Sequence, residues 1–293
     1  MDVLAGKTAV VTGAASGIGL GMTEAFANRG MNVVMADVEE SVLEAQATRL
    51  QDANLPVTAC LTDVTRKAHL ERLLATTVSA YGNVHVLCNN AGVGAGGGPL
   101  WKVSEADWQW IMSVNLDGVV AGIRTFVPHM LAHGEASHVV NTSSIAGMMT
   151  GGGSVYSVSK HAVTRLSEGL FFDLEAAAAN IGVTCLCPGI INTNIIRSDR
   201  NRPADLPARD GLATLQQRES RGSFERYFEE QGMAPRQAGE LVADAILTNK
   251  FYLFTQDEFM PRIKSRFDSI LAETNPVSPG ALPTTLRNDK GVA

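Results

Sequence analysis

Short, β-branched apolar runs alternate with longer stretches of helical periodicity along almost the whole chain, and this alternation narrows the possible folds more than any other feature. A strand, a helix and a second strand join comfortably only as a right-handed crossover unit. Repeating that unit builds a parallel sheet with helices on both faces. Strands are predicted at 7–12, 32–36, 56–60, 84–88, 137–142, 182–187 and 251–254. Helices are predicted at 17–29, 40–53, 66–80, 104–132, 155–179, 235–249 and 257–272. The expected architecture is one doubly wound α/β domain over residues 1–293, with a seven-stranded parallel sheet. A 45% hydrophobic content can bury the core such a sheet needs.

Two regions break the alternation. Residues 197–232 carry seven Arg and seven Asp/Glu with scattered aromatics and read as a partly helical insertion at the substrate end. Residues 275–293 hold Pro276, Pro279, Gly280 and Pro283 with little periodicity, and read as a loosely held tail. The chain has 24 basic against 30 acidic residues, net −6, without a basic run, which disfavours nucleic acid and anionic membrane as partners and leaves small molecules. Cys60, Cys88, Cys185 and Cys187 sit in apolar runs and read as buried thiols, with Cys185 and Cys187 on one strand face. With no signal-peptide pattern and no run of about 18 apolar residues, a soluble, cytoplasmic protein is expected.

After the first strand, the stretch Thr12–Gly19 reads TGAASGIG, with Gly13, Gly17 and Gly19 leading into a helix. Glycines there permit a tight turn and let backbone N–H groups approach a pyrophosphate, with the helix N-terminus stabilising its charge. Asp37, at the end of the second strand, can accept hydrogen bonds from both adenosine ribose hydroxyls. It would also repel a 2′-phosphate, and neither Ser16 nor Val38 supplies a cation to hold one, so NAD is favoured over NADP. Asp63-Val64 and Asn89-Asn90-Ala91-Gly92 follow the third and fourth strands and suit an adenine edge and a cofactor floor.

Tyr156 and Lys160 open a long helix at i, i+4 spacing, which puts phenol and ammonium on one face. A neighbouring ammonium and an oxidised nicotinamide both favour phenolate, so beside them Tyr156 is expected to have a lowered pKa and to be able to take an alcohol proton. Ser143 and Ser144 lie 13 and 12 residues upstream, placed to hydrogen-bond the same oxygen.

Thr12–Gly19, Asn89–Gly92, Asn115 in VNLDG, Ser144 in SSIAG, Tyr156 with Lys160, and Pro188-Gly189 followed by Thr193 together resemble the short-chain dehydrogenase/reductase family over roughly residues 5–196. The resemblance implies a Rossmann sheet and hydride transfer to or from a nicotinamide. It also implies an Asn115–Ser144–Tyr156–Lys160 tetrad: Tyr156 as general acid/base, Ser144 on the substrate oxygen, Lys160 on the nicotinamide ribose, and Asn115 anchoring a relay water. Ile18 joins the glycines in the cofactor loop, and Ile191 and Thr193 would meet the carboxamide. The family often places its Ser 13 residues before the Tyr, which would select Ser143. The Ser-x-Ala-Gly context selects Ser144, with the glycines at 151–153 absorbing one deletion. A homodimer or homotetramer is implied in the same way. The layout after residue 190 is more loosely similar to that of bacterial dehydrogenases that oxidise benzylic alcohols of lignin-derived aryl ethers.

The function expected is NAD-dependent interconversion of a secondary alcohol and a ketone, on an apolar or aromatic substrate. A 3-oxoacyl-thioester reductase and a non-catalytic dinucleotide-sensing protein are the alternatives. His129 and His133 share i, i+4 spacing but lack a third ligand and read as a solvated helix end, so no metal is expected. The loop 94–98 reads as a glycine rim of the substrate cleft, and Trp101, Trp108 and Trp110 as core or interface residues.

Overall fold

Thr8–Thr12 (β1), Asn32–Asp37 (β2), Val57–Leu61 (β3), Val86–Asn89 (β4), Ser137–Thr142 (β5), Ile181–Cys187 (β6) and Tyr252–Phe254 (β7) form one sheet, with every neighbouring pair parallel. The computed structural model describes residues 1–94, 99–151, 154–206, 215–280, 282–283 and 286, and within 215–221 the backbone only. Strand order is β3-β2-β1-β4-β5-β6-β7, so the chain winds outward from β1 in one direction and then from β4 in the other. The crevice at this reversal, beyond the strand C-termini, is where an open α/β sheet holds a ligand. Every residue of β1 and β5 is buried, as expected of central strands covered on both faces.

Two apolar layers cover the sheet. Gly17–Asn28 (α1), Glu40–Asp52 (α2) and Pro235–Leu247 (α8) bury Met22, Phe26, Leu43, Val242 and Ile246 on one face. On the other, Lys67–Tyr81 (α3), Gly118–His133 (α5) and Val155–Ala176 (α6) bury Leu70, Leu73, Phe126, Met130 and Leu170. Glu105–Met112 (α4), Leu215–Gln231 (α7) and Met260–Leu271 (α9) complete the helices. Helices α1 and α8 cross backbone to backbone: a Cβ on Gly21 would lie 2.1 Å from the Pro235 carbonyl oxygen.

The elements match the expected ones in kind and order, with three corrections. The predicted helix 104–132 is α4 and α5 joined through a widened π turn at Ser113–Asp117, which puts one extra residue beside the site. His129 and His133 are half-buried rather than a solvated end. Val84 donates its N–H to His129 Nε2 (3.3 Å), and its carbonyl oxygen lies 2.9 Å from His133 Nε2. Trp110 is core at 4% exposure, whereas Trp101 is 85% exposed. The tail is held in its described part: Thr150 Oγ1 donates to the Val277 carbonyl (2.7 Å) and Tyr227 to the Pro283 carbonyl (2.7 Å), while Leu282 and Leu286 pack on Ile145, Ile190 and Phe259. Residues 95–98 of the glycine rim, and 152–153 of the loop expected to absorb a deletion, lie outside the described residues. All four cysteines are buried free thiols, and the Cys185 and Cys187 sulfurs sit 3.8 Å apart.

Buried imidazoles make the fold acid-sensitive. Burial pushes the His138 pKa down to about 3; its Nε2 is bonded to Thr184 Oγ1 (2.8 Å) and its Nδ1 is packed without a partner. Burial also lowers the pKa of His85 and His129. A group with a depressed folded-state pKa supports the fold fully above its unfolded value. That support is lost as pH falls below about 6.5, because the unfolded chain then takes up protons the native state refuses. Roughly 2 kcal/mol is expected to be lost by about pH 5 from His138 alone. Urea midpoints between pH 8 and 5 check this, and His138→Gln should flatten the slope.

Candidate active site

The loop from β1 to α1 is shaped by two glycines in the left-handed region, Gly13 (φ 67°) and Gly17 (φ 55°). A Cβ on Gly13 would stand 2.9 Å from Ala91 Cα, so loop and floor touch through backbone. Ser16 precedes α1 without a side-chain cap, which leaves the first N–H groups of the helix available to an anion. Gly19 does not line the cleft. Its Cβ would meet the Gly13 carbonyl oxygen at 2.0 Å, so its role is to let helix and loop pack.

Asp37 is oriented from two sides. Its Oδ2 accepts the Ala15 N–H (2.9 Å) and its Oδ1 the Glu39 N–H (3.0 Å), which leaves lone pairs facing the cleft. The floor is locked by Thr12, whose Oγ1 donates to Cys88 O (3.1 Å) and accepts the N–H groups of Asn90 (2.9 Å) and Ala91 (3.0 Å). Asn90 Nδ2 returns a bond to Thr12 O (2.9 Å). Asp63 accepts the Thr65 N–H (2.9 Å) in a tight turn, and with Val64 it lines the cleft. Pro188, Gly189, Ile191 and Thr193 form the opposite wall after β6, where Thr255 Oγ1 and Gln256 Oε1 hold the Gly189 and Ile190 N–H groups.

Tyr156 lies in the first turn of α6, which Ser154 caps by accepting the Ser157 N–H (3.1 Å). Ser144 hydrogen-bonds the phenol and accepts the Ala146 N–H (3.1 Å). Ser143 points into the fold instead: its Oγ donates to the Lys160 carbonyl (2.7 Å) and pairs with Thr164 Oγ1. The structure therefore selects Ser144 as the hydroxyl beside the phenol. Lys160 is 3% exposed, with Nζ 5.7 Å from the Tyr156 ring centroid and bonded to Thr142 O (2.8 Å). Burial pulls the Lys160 pKa down to about 8. Burial pushes the Tyr156 phenol up, opposed by the Ser144 bond, while the ammonium lies against the ring and is engaged with Thr142.

Asn115 occupies the π turn and is fully buried away from the cleft. Its Oδ1 accepts the Val93 N–H (2.8 Å), and its Nδ2 donates to Val93 O (3.0 Å) and Ser159 Oγ (3.1 Å). The side chain thus fixes the Gly92–Val93 floor.

The remaining predicted residues meet around one cleft of about 1370 Å³. Its far end is apolar, built from Trp110, Met149, Ile195, Leu206, Phe224 and Phe228, with Leu282 from the tail. Phe224 and Phe228 of the insertion thus line the cleft, while Arg197 pairs outside with Glu225 (3.3 Å) and Glu229 (3.0 Å). Sequence reading missed Thr142 and Leu282, and also Glu39, Arg200 and Asn201. Their partners are remote in sequence, so no local pattern marks them. Among the described residues no helix is long and apolar enough to cross a membrane.

A family model described as short chain dehydrogenase matches residues 7–204, more than half of the chain. The chain belongs to the short-chain dehydrogenase/reductase family. It is 34% identical over 266 residues to a 1-deoxy-11-beta-hydroxypentalenate dehydrogenase of Streptomyces exfoliatus, covering 90% of this chain and 88% of that protein. It is 29% identical over 273 residues to a C alpha-dehydrogenase of Sphingobium sp., covering 92% and 87%, in line with the looser C-terminal resemblance. Among solved structures, a short-chain dehydrogenase/reductase from Burkholderia phymatum in complex with NAD superposes with a TM-score of 0.92 at 37% identity, covering 96% of this chain and all of that one. This short-chain dehydrogenase/reductase is accordingly an oxidoreductase on a Rossmann-type sheet.

Proposed function

We propose that this short-chain dehydrogenase/reductase uses NAD to interconvert a secondary alcohol and a ketone on a bulky apolar substrate. The observation that carries the reading is the Ser144–Tyr156 hydroxyl pair opening on the cleft with Lys160 behind it. The residues fit a dinucleotide. The uncapped α1 N-terminus and the left-handed glycines suit a pyrophosphate, and Asp37 suits a ribose diol. Gly13, Ser16, Gly17, Ile18, Asp37, Asp63, Val64, Asn90, Ala91, Gly92, Pro188, Gly189, Ile191 and Thr193 would hold it, with Lys160 on its second ribose.

Bound there, the nicotinamide supplies or accepts the hydride. Ser144 orients the substrate oxygen, and Tyr156 gives that oxygen a proton in reduction or removes one in oxidation. A phenol whose pKa burial pushes up is suited to the acid role. Association as a homodimer or homotetramer is part of the same proposal, supported by exposed Leu131 on α5 and Phe172 on α6.

The acyl-thioester alternative loses ground because Arg200, which lines the cleft, and Arg197 and Arg202 near it in sequence are already paired with Glu39, Glu225 and Asp107. They are not held ready for the phosphates of a carrier. A panel of alcohols and ketones with NAD and NADP tests the whole reading, and no turnover with any pair would favour the dinucleotide-sensing alternative. Within that panel, Phe228→Ala is expected to raise KM for a bulky aryl carbinol about tenfold, by removing most of an aromatic contact, and to leave a small alkanol nearly unchanged. Equal effects on both would overturn the bulky-substrate assignment.

A further inference from the structure

The wall of the cleft that carries Asp37 and the wall that carries Thr193 are joined by a direct bridge. Arg200 stands in the 3₁₀ segment Asn194–Asn201, immediately after Thr193. Its guanidinium reaches across to Glu39, two residues past Asp37: Nε lies 3.1 and 3.2 Å from the two carboxylate oxygens and Nη2 lies 2.7 Å from Oε1. The remaining Nη1 donates to the carbonyls of Asn194 and Arg197 (both 3.1 Å), so the same side chain also ties its own segment together. Asn201 Nδ2 adds a second donor to Glu39 Oε1 (2.8 Å). On the other side, the Glu39 N–H donates to Asp37 Oδ1 (3.0 Å), so the bridge ends on the acid that faces the cleft. Glu39, Arg200 and Asn201 all line that cleft.

We propose that the Glu39–Arg200 pair is a latch on cofactor exchange, a closure that a dinucleotide seated on Asp37 must open to leave. The proposal rests on the NAD reading above. Topology supplies the reason. The pair ties the loop after β2 to the segment 194–201 across the cleft that both line. A dinucleotide stretched from Asp37 to Thr193 would run alongside that tie. Arg presents a planar fork that matches a carboxylate, which makes the closure specific in geometry. Both side chains stay partly exposed, at 35% and 21%, so the pair is weak enough to open on the time scale of turnover.

Stopped-flow release of NADH, followed by its fluorescence, reads the latch. Glu39→Gln and Arg200→Ala are each expected to speed release about fivefold, the upper range for a partly exposed ion pair. The exchange Glu39→Arg with Arg200→Glu should restore slow release by re-forming the pair in reverse. Added salt should speed release from the unmodified protein and have little effect on Arg200→Ala. If the unmodified protein binds NADH and both single variants release it at the original rate, the latch is overturned and the NAD reading stands. If the unmodified protein does not bind NADH, the cofactor reading fails and the latch falls with it. Faster release in both singles that the reversed pair does not repair would show a merely structural contribution of the segment, which also overturns the latch.

Discussion

Tyr156→Phe is expected to lower kcat by about 10²- to 10⁴-fold, the range a positioned proton-transfer group contributes, while NADH binding stays nearly unchanged. The ring can keep its place against Lys160, 5.7 Å from Nζ to its centroid; what disappears is the hydroxyl bonded to Ser144. Lys160→Ala should behave differently and weaken cofactor binding as well, because its ammonium is assigned to a ribose in addition to the phenol. The proton-transfer role adds a directional test. Ketone reduction, which uses the neutral phenol, should vary little across neutral pH, whereas alcohol oxidation, which needs the phenolate, should climb as pH rises. Steady-state rates in both directions and a fluorescence titration check these outcomes. A loss below about tenfold would remove Tyr156 from the proton-transfer role.

Asp37→Ala is expected to weaken NAD by about 10- to 100-fold and NADP much less, so that the preference narrows or inverts. Hydrogen bonds to a charged group contribute about 1.5–3 kcal/mol each, and Asp37 has free lone pairs for two ribose hydroxyls. The same charge opposes a 2′-phosphate, so its removal relieves NADP of a repulsion. Because Asp37 also accepts the N–H groups of Ala15 and Glu39, Asp37→Asn is the companion variant. It keeps an acceptor for the loop and removes the charge, and should regain part of the NAD affinity. Equal affinities of the unmodified protein for NADH and NADPH would overturn the assignment.

What was readable from residues alone was whatever repeats or clusters locally. Short continuous β-branched apolar runs mark seven strands whose observed bounds shift by at most a few residues, because a central parallel strand must be apolar on both faces wherever it sits. The glycine loop, Asp37, and Tyr156 with Lys160 were legible for the same reason: each lies within one turn or one strand end, where spacing alone fixes relative position. The one helix boundary misread, at Ser113–Asp117, concerns a single extra residue in a turn, which no hydrophobic period registers.

Tertiary structure decided which groups face one another, and through burial their protonation. Ser143 and Ser144 are neighbours in one motif, and only the docking of β5 against α6 turned the first toward Lys160 O and the second toward the phenol. Asn115 binds the backbone of Val93 through both side-chain heteroatoms, because the π turn aims it at the floor. Arg200 meets Glu39 across 161 positions, and Tyr227 holds Pro283 across 56, and no local pattern encodes either distance. The chain by itself determined the sheet, the glycine loop and the chemistry-bearing side chains, since periodicity and short-range sterics act within a few residues. The upward push on the Tyr156 phenol, the choice of serine and the Glu39–Arg200 pairing came from packing, because desolvation and long-range pairing exist only once distant segments exclude water together.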